Sequence, residues 1–557
     1  MTERTCPPCP PSGRRGPRTV LLRGGAVYSP ADPFATAMLV EGEHVAWVGS
    51  DGAAGAYADI ADEIVELDGA LVTPAFVDAH VHATSTGLAL TGLDLTGSPS
   101  LAAALAAVAA FVASATEAAD EPGGVLLGHG WDETGWPEGR PPTLAELDAA
   151  AGGAAVYLSR TDVHSALATS ALRALTPGLA GRPGHDADGP LTRDAHHAVR
   201  QTALARLTPG QRRRAQRATL ARAAELGIGS LHECAGPEIS SEADLTALLA
   251  LAAEGEGPEV FGYWGELGGV ETARRLGAAG AGGDLFVDGA LGSHTACLHA
   301  SYADADHTGT SYLSAGQVAD HVAACTEAGL QAGFHAIGDA AIAAVLDGVR
   351  AAGERVGADR VRALRHRVEH AEALDDKSIA AFAELGLTAS VQPAFDAAWG
   401  GPDGMYVQRL GAERAAALNP FAALLRAGVP LAFGSDAPVT PLDPWGTVRA
   451  AAFHRTPDHR ISVRAAFTAH TRGGWRALGR DQDGVLVPGA IASYAVWAAD
   501  DLVVQAPDSR VAGWSTDPRS GTPGLPDLTP GRPLPVCLRT VVRGRTVYLA
   551  AADRPAG

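Results

Sequence analysis

The chain has 557 residues, of which 46% are hydrophobic and 19% charged, and a formal net charge of −20. That length exceeds what one core normally organises, so more than one domain is expected, in a globular protein of near-zero mean hydropathy. The acidic balance argues against a nucleic-acid backbone or an anionic membrane surface as partner and says nothing sharp about substrate; homo-oligomerisation is open.

Residues 1–18 are polar and Pro-rich and read as a disordered tail. They lack the apolar segment of a secretory signal, so the cytoplasm is the expected compartment. Cys6 and Cys9 form a CxxC inside that tail without a second ligand pair, and the other four cysteines are too scattered for a disulfide framework. From Thr19, short β-branched runs broken by Gly, Asp and Pro ("TVLLRGGAVYSP", "AMLVEGEHVAWVGS", "EIVELDGALVTP") predict a meander of strands. The C-terminal runs "GVLVPGAIASYAVWAADDLVVQA" and "CLRTVVRGRTVYLA" read the same way, with a loop insertion, "PDSRVAGWSTDPRSGTPGLPDLTPGRPLP", between them. Residues 19–73 and 485–557 are therefore expected to pair into one small β domain.

The stretch "LVTPAFVDAHVHATS" ends an apolar run in His80 and His82. Side chains at i and i+2 of a strand point to one side, so both imidazoles could reach one metal ion. Taken alone, the pair reads equally well as polar residues opening a loop. Residues from about 85 to 205 follow as an inserted subdomain. Its alanine-rich stretch, "LAAALAAVAAFVASATEAAD", predicts a helix and not a membrane span, because alanine favours helix but contributes little membrane affinity.

From about 205 to 470, helical stretches alternate with short apolar runs: "GIGSLHEC", "VFGYWGEL", "GDLFVDGA", "LQAGFHAIGD", "RHRVEHA", "GLTASVQP" and "PLAFGSDAP". Repeated strand–helix units predict a parallel α/β fold, and this many units predict a (β/α)8 barrel over residues 74–484, the inserted subdomain included. No GxGxxG joins a strand to a helix, so the usual dinucleotide-binding fingerprint is missing.

Barrel chemistry sits at the C-terminal ends of strands. His335 follows "LQAGF", His370 ends "RHRVEH" and Asp436 ends "PLAFGSD". Singly, each suits a cap or a surface position. Jointly with His80 and His82 they make a divalent-metal site, most suited to zinc, with manganese, iron or nickel as alternatives.

These motifs resemble the metal-dependent amidohydrolase superfamily, and within it the amidohydrolase family 3 branch that includes N-substituted formamide deformylase-like proteins. The matching stretches are "PAFVDAHVHA", "GHGWDETGWP", "LSRTDVHSALATSAL", "LFVDGALGSHTACL", "FHAIGDAA", "RVEHA", "SVQPAF", "FGSDAPV" and "VLVPGAIASYAVW", in the family's order between residues 19 and 550. The resemblance implies a distorted (β/α)8 barrel, a composite β-sandwich from both termini and a subdomain over the site. It implies His80 and His82 as first-strand ligands, His335 and His370 as ligands from strands five and six, and Asp436 as a ligand that also shuttles the proton. Many relatives carry a carboxylated lysine bridging two metals, in a segment similar to "VKLFADG". Here "GDLFVDG" places Asp284 at that position, and the one lysine of the chain, Lys377, lies in polar "LDDKSIAAF". Either Asp284 helps to bridge two cations or the site holds one. The shortness of aspartate favours one, with His370 then hydrogen-bonding the attacking water or the substrate.

The implied reaction is hydrolysis by metal-activated water, with no organic cofactor, of a carbon–nitrogen bond other than a peptide bond in a small-molecule substrate, an amide, N-acyl or N-formyl compound. A deaminase or cyclic amidase of the same superfamily and a barrel without catalysis are the alternatives. Trp131, Asp132, Arg160, Asp162, His164, His294 and Gln392 are the candidate substrate-binding residues. Arg160 with a neighbouring acid also suits an internal ion pair. Ser293, His232 and Glu233 are weaker candidates for the mouth.

Overall fold

The structure, a computed structural model, describes residues 18–117, 124–161, 165–505, 514–515 and 523–551. Eight parallel strands form its centre: β1 (Phe76–Val81), β2 (Ile228–Ala235), β3 (Glu259–Trp264), β4 (Gly280–Ala281), β5 (Gln331–Ala336), β6 (Arg367–His370), β7 (Thr388–Val391) and β8 (Leu431–Phe433). Their spatial order is their chain order. Most positions in these strands are buried, as expected where helices cover one face of a parallel sheet and side chains fill the other. The sheet nearly closes on itself. Beyond β8, Asp436 donates its N–H to the His80 carbonyl (2.8 Å) and His82 donates to the Ala437 carbonyl (3.0 Å). Asp78 on β1 accepts the N–H of Ser435 at 2.9 Å, a third tie between the two ends.

The barrel strand at β4 departs from the sequence reading. "GDLFVDGA" (283–290) is not a regular strand. Pairing is confined to Gly280 and Ala281 just before it, plus one bridge from Phe286 to His335. Two consecutive glycines with positive φ, Gly282 and Gly283, end the ladder there.

Strands from both ends of the chain share a sheet. Tyr494–Ala498 runs antiparallel to both Leu71–Pro74 and Val536–Val542. A second sheet, led by Thr19–Arg23 and Ala37–Glu41, packs on it through Leu22, Met38, Val40, Val72, Tyr494 and Val541. Inside the expected loop insertion, Leu525–Pro526 is a short strand on Leu502–Gln505. Between β1 and β2 stands a further sheet containing Leu126–Trp131, Val156–Arg160 and Ser165–Ala168, with its own core around Leu95, Trp131, Leu147 and Leu158. The helix Leu101–Glu117 buries Leu101, Ala104 and Val108 on that core. Among the described residues no helix is long and apolar enough to cross a membrane.

Candidate metal centre

His80 is the fifth residue of β1 and points into the barrel, and His82 follows one residue past the strand end, on the same side. His335 comes from β5 and His370 closes β6. Asp284 lies just beyond β4, and Asp436 lies three residues beyond β8. All six converge. His370 and Asp436 both have left-handed backbone, φ +68° and +54°, an uncommon conformation for residues with a side chain and one that concentrates at functional sites.

Each imidazole is held by the nitrogen facing away from the centre. His80 Nδ1 meets Glu369 Oε2 at 2.8 Å, His82 Nδ1 meets the Cys234 carbonyl at 3.0 Å, His335 Nε2 meets the Gly289 carbonyl at 3.2 Å, and His370 Nδ1 meets Gln392 Oε1 at 2.8 Å. All four partners are acceptors, so each ring carries its proton on that side and turns a bare lone pair inward. Those lone pairs face carboxylate oxygens. His80 Nε2 is 3.4 Å from Asp284 Oδ2 and 3.5 Å from Asp436 Oδ1. His82 Nε2 is 3.2 Å from Asp284 Oδ2 and 3.1 Å from Asp436 Oδ1. His335 Nδ1 and His370 Nε2 lie 3.3 and 3.5 Å from Asp284 Oδ1. His80 Nε2, His370 Nε2 and Asp436 Oδ1 are buried without a hydrogen-bond partner.

Acceptor facing acceptor is unfavourable unless a cation or a second ring proton stands between them. Bonds of about 2.0–2.1 Å in a tetrahedral shell put neighbouring donors about 3.3 Å apart, the spacing found here. The donor set therefore fits a divalent cation. Without a cation between them, the facing carboxylates favour a second proton on the rings instead. Burial pulls His80 and His82 down, but the Asp284 and Asp436 charges outweigh it and hold both well above the ordinary imidazole value. Burial likewise opposes the carboxylate form of Asp284, yet the facing histidines keep it well below the usual range.

A layer deeper, Arg367 and Glu369 of β6 point into the barrel from alternate positions. Arg367 donates to Glu369 through Nε (2.5 Å) and Nη2 (2.9 Å), to Ser390 Oγ (2.7 Å) and to His232 Nδ1 (3.2 Å), over the Tyr263 ring. Glu369 in turn grips His80. Burial opposes its ionisation, but Arg367 holds its carboxyl down at about 2. A carboxylate fixing the tautomer of a metal-ligating histidine raises ligand basicity and fixes ring orientation. Neither member of this pair is among the candidate residues named from the sequence. The signal was in "RHRVEH", where opposite charges at i and i+2 share the inward face of a buried strand.

The other candidates fall elsewhere. Gln392 is buried and acts on His370 through its amide oxygen. His232 is fully buried on Arg367 and does not line the mouth; burial and that guanidinium keep its imidazole well below the ordinary value. Glu233 accepts the Ala83 N–H at 2.6 Å at the start of the helix Ala83–Thr91, and burial pushes its carboxyl up to about 7. Trp131 is packed in the core of the inserted unit and donates to the Leu158 carbonyl. Arg160 pairs with Asp132 (2.9 Å) and Glu133 (3.0 Å) and lies over the Trp131 ring, so its charge serves an internal ion pair. His294 pairs with Asp304 at 2.9 Å, and the Ser293 hydroxyl contacts Thr295 at 2.7 Å, both in the long segment after β4. Asp162, His164, Cys6 and Cys9 lie outside the described residues. Lys377 is exposed in the first turn of Asp376–Leu385, away from the centre.

A parallel eight-stranded barrel with a His/Asp cation site over its strand ends defines a metal-dependent hydrolase. The chain belongs to the amidohydrolase family, whose model matches residues 63–548. It is 28% identical to Protein LONG AFTER FAR-RED 3 of Arabidopsis thaliana, over 86% of each chain. It is 25% identical to the N-substituted formamide deformylase of Arthrobacter pascens, over 84% of this chain and 91% of that one. The crystal structure of an uncharacterized metal-dependent hydrolase from Pyrococcus furiosus superimposes with a TM-score of 0.72 at 27% identity, covering 86% of this chain and 99% of that one.

Proposed function

We propose that this chain hydrolyses a carbon–nitrogen bond other than a peptide bond in a small amide, N-acyl or N-formyl compound. The observation that carries the reading is the ring of four imidazoles whose bare nitrogens face Asp284 and Asp436. His80, His82, His335, His370, Asp284 and Asp436 would hold the divalent cation, zinc foremost. Bound there, such an ion supplies acidified water and polarises the carbonyl under attack.

Asp436 does the proton work. Burial opposes its ionised form, but His80 and His82 outweigh this and hold it below the ordinary carboxyl range. It accepts the proton of the attacking water as the C–O bond forms. It then delivers that proton to the departing nitrogen as the C–N bond breaks, acting as base and then acid. Likeness to the formamide deformylase supports an N-acyl substrate.

The test is product analysis on zinc- or manganese-loaded protein offered N-substituted formamides, N-acyl amines, cyclic amides and aminated heterocycles. Release of a carboxylic acid with an amine is expected. Ammonia from a heterocycle would replace this reading with a deaminase, ring opening alone would replace it with a cyclic amidase, and no turnover on any of them would leave a binding protein.

A further inference from the structure

We infer that the substrate carries an apolar acyl group larger than formyl, held on the β4 side of the mouth by Phe286 and the aromatic wall that begins there. The inference rests on the hydrolase reading above and narrows its substrate class.

Alternation along the chain after β4 places Phe286. Leu285 and Val287 enter the main apolar core. Asp284 and Asp288 point the other way, 3.3 Å from His335 Nδ1 and 3.9 Å from His335 Nε2. Phe286 stands between them on that side, since successive side chains of an extended segment alternate. Its backbone bridges His335, and its ring centroid lies 4.8 Å from that imidazole. Every residue from 280 to 288 is buried except Phe286, which is partly exposed. The rings continue from there. His335 and His370 are 4.4 Å apart, Phe395 stacks on His370 at 5.9 Å and 9°, and Trp399 meets Phe395 at 4.6 Å. Phe395 and Trp399 belong to the helix Pro393–Trp399 after β7; Phe395 is buried, whereas Trp399 is partly exposed like Phe286. A continuous aromatic wall thus runs from β4 to β7 along the half of the mouth that holds His335 and His370.

Asp436 decides which part of the substrate meets that wall. It follows β8, and in the eight-strand order β4 and β8 stand across the barrel from one another. Asp436 hands its proton to the departing nitrogen, so the nitrogen lies on the β8 side. The remaining substituent of the carbon under attack, the acyl chain, then projects toward β4 and Phe286. The charged groups flanking Phe286 are the carboxylates of Asp284 and Asp288, so an apolar acyl chain suits this side and an acidic one does not. Contact of this kind is selective, because one methylene in a hydrophobic pocket is worth about 10- to 200-fold in kcat/KM. A formyl group carries only hydrogen at that place and forgoes the contact.

The experiment varies the acyl group at constant amine. Zinc-loaded full-length protein is offered the formyl, acetyl and phenylacetyl amides of 4-nitroaniline, and each kcat/KM is divided by the rate of alkaline hydrolysis of the same compound. The normalised value should rise from formyl to phenylacetyl at least about 100-fold. Phe286→Ala should compress that ratio below about 10-fold, and Phe286→Leu should give an intermediate ratio. Circular dichroism and zinc content check that each variant is folded and loaded; if the alanine variant unfolds, the leucine variant decides the matter. Titration calorimetry with the product acids gives a second readout. Phenylacetate should bind about 10-fold or more tightly than acetate, and Phe286→Ala should erase the difference. A ratio unchanged in the folded variants, or a natural protein that prefers the formyl compound, would overturn the inference and leave the hydrolase reading standing. Turnover of no amide, with no binding of either acid, would remove both.

Discussion

Two polar layers lie one above the other inside the barrel, and they differ in their supply of hydrogen-bond donors. In the lower one, Arg367 donates to Glu369, Ser390 and His232, and His232 Nε2 is left buried without a partner. In the upper one, four imidazoles turn lone pairs onto two carboxylates, and donors are lacking. The two share one joint, the contact of Glu369 with His80. Matched polar groups stabilise and orient; unmatched acceptors bind a cation. The difference is set by one guanidinium, Arg367, which brings donors to the lower layer, and by the acceptors behind the four upper rings, which leave their inward nitrogens bare.

The sharpest way to break this comparison is to remove upper-layer donors. His80→Ala and Asp436→Ala should each lower kcat at least about 10³-fold, the scale of losing a principal electrostatic or acid–base group, with the fold retained by circular dichroism. Unchanged turnover in either variant excludes the proposed chemistry. The lower layer should respond differently. Glu369→Ala leaves Arg367 buried without its counter-ion, which should cost about 3–5 kcal/mol of stability. It should also weaken metal affinity about 10- to 100-fold through His80. Denaturant melts and metal titrations separate the two effects; stability loss with unaltered metal affinity would confine Glu369 to the lower layer.

Acid should distinguish paired from unpaired carboxyls. Glu369 is depressed to about 2 by Arg367, so its stabilisation is complete above the ordinary carboxyl range and is lost as pH falls toward 2. Glu233 is raised to about 7 by burial, so its contribution has the opposite sign: present at low pH and lost as pH rises through 7. Glu233→Gln should therefore flatten the decline in melting temperature between pH 5 and 8, an effect of order 3 kcal/mol at most. An undiminished slope in that variant would assign the decline to other groups. The smallest effect belongs to the inserted unit, where Thr143 and Glu146 form a capping box at the helix Leu144–Ala151. Thr143→Ala should cost about 1 kcal/mol in local stability, read by hydrogen exchange, and leave kcat unchanged.

Much of the upper layer was legible in the sequence because the strand period is strict. His80 and His82 at i and i+2 must share a side, and His335, His370 and Asp436 each close an apolar run, which a barrel gathers at one end. The eight-strand barrel itself followed from the repeated strand–helix alternation. What escaped depends on backbone routing and on depth. "GDLFVDGA" looks like a strand, yet the glycines before Asp284 end the ladder and redirect the chain, and no spacing rule reports that. Glu369 and Arg367 were hidden in plain view beside His370, since a charged pair inside a parallel barrel runs against the expectation of an apolar interior. Arg160 drew interest as a substrate ligand, but its partners Asp132 and Glu133 come from the neighbouring strand end and neutralise it locally.

The most direct measurement is an anomalous difference map at the zinc edge from crystals of metal-loaded protein. The expected result is a peak bounded by His80 Nε2, His82 Nε2, Asp284 and Asp436, on the inward side of all four groups. Well-ordered density with no peak there, and those imidazoles hydrogen-bonded directly to the carboxylates, would contradict the metal centre and the hydrolysis built on it.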